Sequence, residues 1–430
     1  MSSSQHRIEE WCEQAARLDA EDALASYREF FCYPTRQGQD VAYFCGNSLG
    51  LQPKRAETIV MEELEDWRRH GVEGHFQSRR PWYSYHRWFA EPLARLVGAL
   101  PHEVVAMNSL TVNLHLMMTT FYRPTPERDA IVLAGGEFPS DRYAIESQIR
   151  LHGLDPATSM IEVMPRQGAS TLSTDEILEA IATHGHRTAL VLFSGVHFYT
   201  GQFFDIEAIA RAAHAAGALA GFDLAHAAGN VQMHLHDWDV DFAVWCSYKY
   251  LNAGPGAVAG LYVHERFANR PDLPRLAGWW GNDEATRFSM AHSFVPSYGA
   301  DGWQLSNAQV LPLAALMASL EIFERAGMER IGTKRDQLTG FLERLLLEVI
   351  GNRDWIRIIT PSDPRERGAQ LSVHFDRHGR EIFESFISHG VIVDWRTPSV
   401  IRMAPAPLYT SFADVVRLAS TLETILADHA

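Results

Sequence analysis

Cysteine is scarce in this chain. Its four cysteines, Cys12, Cys32, Cys45 and Cys246, show no paired spacing. That excludes a disulfide framework and fits a reducing cytoplasm. No apolar run approaches the roughly 20 residues that a membrane-crossing helix needs. The opening MSSSQHRIEEWCEQ is polar and has none of the apolar core of a secretion signal. Positive charge is also in deficit, with 38 Lys and Arg against 53 Asp and Glu, a net charge of −15. A nucleic-acid or anionic-membrane surface is therefore not expected as the main partner. There is no internal repeat and no low-complexity run.

What is present is ordinary for a globular protein: 430 residues, 46% hydrophobic and 21% charged, enough for two domains. Residues 5–31 repeat apolar positions at helical spacing, through Ile8, Trp11, Ala15 and Leu18. From residue 130 onward, short apolar runs alternate with helical patterns: 130–134, 159–164, 175–184, 188–193, 206–216 and 219–222. This alternation predicts an α/β fold with a mostly parallel sheet between helices. The long apolar helix pattern from Val310 reads as a bridge to a smaller α+β unit that fills the rest of the chain.

One stretch, residues 221–256, carries an aspartate and a lysine at the ends of two short apolar runs, Asp223 after 218–222 and Lys249 after 242–246. In an open α/β sheet, the carboxyl ends of strands line the ligand crevice. Taken singly, an acid there is an ordinary cap and a lysine an ordinary loop charge. Together they suit pyridoxal phosphate, whose aldehyde needs an amine and whose ring nitrogen needs a carboxylate. The glycines of Leu-Asn-Ala-Gly-Pro-Gly just beyond Lys249 permit close backbone approach. The following GPGAVAG lacks the spacing of a dinucleotide loop.

Other positions admit both a structural and a functional reading. Asn108 or Ser109 can cap a helix opening at Leu110-Thr111, whose N-terminus is a ready phosphate site. Phe138 can stack on a flat ring and Asp141 can bond ring substituents, or the pair can simply start a helix. Ser194 ends the strand before that of Asp223, and His226 lies three residues beyond it. Asn47 and Ser48 sit in a turn, and His75 opens an aromatic-rich irregular segment. Arg402 is flanked by apolar residues and suits either a carboxylate ligand or an ion pair. His234, His236 and Asp237 resemble metal ligands only superficially, because no further zinc-like cluster follows; no metal is expected.

The blocks FCGNSLGLQPK, NLHLMM, EFPSDRYAIESQ, FSGVHFYTGQ, GFDLAHAAGN, HDWDVDFAVWCSYKYLNAGPG and IRMAPAPLY, in this order across nearly the whole chain, resemble kynureninase. This is a pyridoxal-phosphate family of the aspartate-aminotransferase fold type I. The resemblance implies hydrolysis of the Cβ–Cγ bond of L-kynurenine or 3-hydroxykynurenine, giving alanine and anthranilate or 3-hydroxyanthranilate, within tryptophan catabolism or NAD synthesis. It implies a large domain over residues 46–309 with a seven-stranded sheet, a small domain over 310–430, and an N-terminal helical segment, 1–45, packing with the small domain. It also implies a cytoplasmic homodimer.

The same resemblance implies roles for individual residues. Lys249 holds the cofactor and moves the Cα proton, Asp223 pairs with the ring nitrogen, and Tyr248 is the acid–base. Leu110, Thr111, Phe138, Ser140, Asp141, Ser194 and His226 bind the cofactor, while Trp279 and Asn307 close over the site, in part from a partner subunit. Ser48, His75, Asn307 and Arg402 face the substrate. His75, Asn307 and Ser48 go with acceptance of the 3-hydroxyl, so 3-hydroxykynurenine is the expected preference. No position of this set carries a chemically unlike residue. A desulfurase reading of the same fold fails for want of a late reactive cysteine, since the last is Cys246.

Overall fold

The computed structural model describes residues 3–290 and 292–427. Its centre is a seven-stranded sheet, numbered here along the chain: β1 Val104–Ala106, β2 Ala130–Ala134, β3 Met160–Val163, β4 Thr188–Ser194, β5 Leu219–Asp223, β6 Phe242–Trp245 and β7 Gly260–Val263. The spatial order is β1-β7-β6-β5-β4-β2-β3. β7 runs antiparallel to both of its neighbours, and the other pairings are parallel.

These strands are nearly continuous apolar runs because both faces of the sheet are covered. The two-residue period divides each run between two cores. Val132, Ala134, Val191, Phe193, Ala220, Phe222, Ala243 and Trp245 enter one core. Ile131, Leu133, Leu190, Leu192, Phe242 and Val244 enter the other, against the helix Leu110–Phe121. At roughly 25 cal/mol per Å² of apolar area, this two-sided burial is the main term holding the sheet.

A third core belongs to a four-stranded antiparallel sheet in the order Ile356–Ile358, Leu371–Phe375, Val400–Met403, Asp394–Arg396. It packs against the helices Met328–Ile350, Gly379–Ser388 and Phe412–Ala427. Trp11 and Ala15 of the helix Ser3–Glu21, with Ala42 and Phe44, are buried in the same core. Ala42–Tyr43 also pairs in parallel with Val391–Ile392. The helix Val310–Ala326 differs from the bridge expected of it. Leu313, Leu316, Leu320 and Phe323 are buried in the large-sheet core, and Ala314 and Ala318 meet Ala56 and Ile59 of the helix Lys54–His70. The crossing falls to the next helix, whose Ile331 belongs to the large-sheet core and whose Leu338 and Leu342 belong to the small one. Among the described residues, no helix is long and apolar enough to cross a membrane.

Candidate active site

Parallel strands carry their carboxyl ends to one edge, and there the chain forms a cavity of about 120 Å³. Leu110, Thr111, Phe138, Ser140, Asp141, Ser194, Asp223, His226, Tyr248 and Lys249 all line it. In register, Asp223 lies beside Ser194 of β4 and Val244 of β6. Lys249 follows β6 in a turn, with its Nζ 5.9 Å from the centre of the Phe138 ring and 5.8 Å from that of Tyr248.

Two helices begin at this cavity. In Leu110–Phe121, Ser109 occupies the N-cap position but makes no side-chain bond to the helix. Asn108 adopts φ +53° and turns its amide to Asn113. The capping expected of one or the other is therefore not made, because Asn108 is committed elsewhere. The first N–H groups of the helix keep their capacity for an anion. Pro139–Leu151 opens with Phe138 as its N-cap and Asp141 in its first turn. The hydroxyls of Thr111 and Ser140, one from each helix, lie 3.0 Å apart. Two N-termini and two hydroxyls form a cradle suited to a phosphate.

The cavity is also lined by acids. Asp223 is buried and accepts the N–H of Ala225 at 2.7 Å. Burial raises its proton affinity, an effect offset by that N–H and by Lys249. Asp141 is raised too, first by burial and then by the charge of Asp223. Glu137, which sequence reasoning missed, lines the same cavity and is pushed up to about 7 by burial. Its single signal in the sequence was a charge in the short loop between the strand end at Ala134 and Phe138. Burial holds the Tyr248 phenol protonated well above its usual range. His226 is driven the other way, first by burial and then by the positive charges of Lys249, Arg402 and Arg396, so its imidazole is neutral. Such opposed displacements within one cleft mark functional sites.

Among the lining groups, Ser194 Oγ, His226 Nδ1 and Glu137 Oε2 are buried without a partner. Buried polar atoms seldom stay unpaired. A flat, anionic, aldehyde-bearing pyridine fits all of these demands: an amine, a carboxylate, an aromatic face, a phosphate cradle and spare donors.

Arg402 and Ser48 stand beside the cavity and bond to one another at 2.9 Å. Arg402 also donates to the carbonyl of Phe198, a lining residue, at 2.7 Å. The other three expected residues are not in the lining. His75 rests edge-on against Trp82, Trp279 is 52% exposed, and Asn307 is exposed. His236 does meet further ligand types, with its Nδ1 3.0 Å from Glu103 and its ring against that of His264. Glu103 is already engaged there by the N–H groups of Leu100 and Glu265, so the group reads as a hydrogen-bonded network. Cys246 is buried, which removes it as a nucleophile exposed to substrate.

The kynureninase C-terminal domain family matches residues 331–422. Kynureninase of Myxococcus xanthus (strain DK1622) is 54% identical over 410 residues, covering 95% of this chain and 96% of that protein. Kynureninase of Xanthomonas campestris pv. campestris (strain B100) is 55% identical over 413 residues, covering 95% and 97%. Among solved structures, the cysteine desulfurase of Thermococcus onnurineus NA1 superposes with a TM-score of 0.75 over 90% of this chain and 95% of that one, at 18% identity. A C-DES variant with glycine covalently linked to its pyridoxal-phosphate cofactor gives 0.75 over 89% and 96%, also at 18%. These two establish the fold as that of fold type I pyridoxal-phosphate enzymes, and the curated relatives establish the family: the chain belongs to the kynureninases.

Proposed function

We propose that this chain binds pyridoxal phosphate and hydrolyses the Cβ–Cγ bond of L-kynurenine and 3-hydroxy-L-kynurenine, releasing L-alanine and anthranilate or 3-hydroxyanthranilate. The observation that carries the proposal is the meeting of Lys249, Asp223, Tyr248, Phe138 and the Thr111–Ser140 cradle in one cavity. When bound, the cofactor supplies an electron sink that makes the Cα proton acidic. Lys249 would hold the cofactor through its amine, and the same amine would move the substrate's Cα proton. Asp223 keeps the ring nitrogen protonated, through a bond worth about 1.5–3 kcal/mol. Its raised proton affinity is a property of the buried acid alone, and an opposing cation reverses it.

Water adds to the γ-ketone, and the departing carbon needs a proton. Tyr248, whose phenol burial keeps protonated, is the acid placed beside Lys249 to give it. Arg402 fixes the α-carboxylate. Leu110, Thr111 and Ser140 would hold the phosphate, Phe138 and His226 would support the ring, and Asp141 and Ser194 would bond its substituents.

His75, Trp279 and Asn307 lie away from the cavity of their own chain, and this supports a homodimer in which a partner supplies them. In that assembly His75 and Asn307, with Ser48, face the 3-hydroxyl and favour 3-hydroxykynurenine, since a site built to bond a hydroxyl rejects a ligand lacking it. Four unpaired cysteines, two of them exposed, support a cytoplasmic setting. The purified protein with added pyridoxal phosphate, given each substrate separately, should release anthranilate or 3-hydroxyanthranilate, the latter with the higher kcat/KM. Retention of cofactor with no release from either substrate would overturn the reaction while leaving the cofactor site standing.

A further inference from the structure

Three side chains of two neighbouring strands and one from a distant turn converge at the edge of the small sheet next to the cavity. Arg402, on the strand Val400–Met403, is fully buried. Asp394 lies directly opposite it in the antiparallel register. Arg396 is two residues on from Asp394, and the two-residue period puts both on one face of their strand. Ser48 arrives from the turn after the Cys45 bridge to Ala404.

One oxygen organises the group. Asp394 Oδ2 accepts from Arg402 Nη2, from Ser48 Oγ, and from Arg396 Nη2 at 3.1 Å. Ser48 Oγ in turn accepts from Arg402 at 2.9 Å and lies 3.5 Å from Arg396 Nη2. The Nε atoms of both arginines are buried without a partner. Two guanidiniums against one carboxylate leave a single positive charge in excess, at a place where an unbalanced charge is costly. The Asp394 side chain is 12% exposed and that of Arg396 34%, so Arg396 stands on the open side of the group while Arg402 closes its floor. Both arginines lower the proton affinity of His226, so their field reaches the cavity.

We propose that Arg396 is a second guanidinium of the substrate-carboxylate receptor, with Asp394 the positioning residue that holds both arginines and limits the receptor to one negative charge. The inference rests on Arg402 as partner of the α-carboxylate. A forked pair of guanidiniums binds a carboxylate in a fixed plane. Asp394, paired across the sheet with Arg402, sets that plane, and its charge leaves one positive charge, which matches a monocarboxylate and not a dicarboxylate.

The test uses the full chain loaded with pyridoxal phosphate. L-alanine and L-aspartate are titrated against the absorbance of the bound cofactor, and kcat and KM are measured for L-kynurenine. Arg396→Gln should raise the L-alanine dissociation constant and KM by about tenfold to hundredfold, with kcat within about twofold and the melting temperature unchanged. Arg396→Lys should recover part of the loss. Asp394→Asn, which leaves two positive charges, should narrow the preference for L-alanine over L-aspartate. Unchanged L-alanine binding in Arg396→Gln, or a fall in kcat together with a lower melting temperature, overturns the role of Arg396. An unaltered preference in Asp394→Asn overturns that of Asp394. Arg402→Gln separates the two levels. If it weakens L-alanine binding while Arg396→Gln does not, only the present inference falls; if neither does, the carboxylate receptor itself is misplaced.

Discussion

Glu137 accepts the backbone N–H of Ser194 at 2.9 Å, and so a third carboxyl is anchored in the wall that already holds Asp141 and Asp223. Glu137 raises the proton affinity of both. Three buried carboxyls facing one lysine cannot all ionise without a large cost in so dry a place, which ties cofactor-free stability to pH.

The sign follows from where Glu137 titrates. In the folded chain it ionises near 7, against an ordinary value of 4.5. Its contribution is thus fully present below the lower value and lost as pH rises through the upper one, by an amount on the order of 3 kcal/mol. Glu137→Gln keeps an acceptor for Ser194 and removes the ionisation. Thermal unfolding of the cofactor-free variant should match the parent at about pH 4 and exceed it at about pH 8. A variant no more stable than the parent at about pH 8 would contradict this.

Lys249→Ala should abolish covalent retention of the cofactor. Borohydride reduction followed by denaturation should leave pyridoxyl label on the parent protein and none on the variant. Label persisting in the variant would place the attachment on another amine.

Asp223→Ala should depress chemistry more than binding. With the ring nitrogen unpaired, kcat should fall by at least about tenfold to hundredfold, while KM changes less. Steady-state kinetics across both substrates measures the split, and unchanged turnover would remove Asp223 from the mechanism.

Gly50 is held against the lysine turn. Its N–H donates to the carbonyl of Tyr248 at 2.9 Å, and a Cβ there would stand 2.4 Å from the carbonyl oxygen of Lys249 and 2.8 Å from Asn252 Cα. Both are backbone atoms that cannot swing aside. Gly50→Ala should destabilise the fold by about 1–3 kcal/mol and weaken cofactor affinity by displacing Lys249. Equilibrium denaturation and cofactor titration would report both effects, and a variant with parental affinity would show that the turn tolerates the shift.

Much of this protein was legible in its sequence, for local reasons. Strand runs such as 130–134 and 219–222 declare themselves because a strand covered on both faces must be apolar throughout, and the helices between them because their apolar period is 3.6. Asp223 and Lys249 stood out because each is a charge at the end of such a run, where parallel topology sends neighbouring strands to the same edge. Several relationships were not legible. Asn108 and Ser109 both read as caps, and only the backbone shows Asn108 at positive φ with its amide committed to Asn113. Glu137 looked like one more loop charge until folding placed it in the wall with Asp141 and Asp223. The bonds among Ser48, Asp394, Arg396 and Arg402 join residues up to 354 positions apart, and no periodicity reports a contact at such separation. Local pattern determined the elements and the ends on which the chemistry sits. Tertiary structure alone decided which charges share a buried space, because the energy of a buried charge depends on its three-dimensional neighbours and not on its neighbours in the chain.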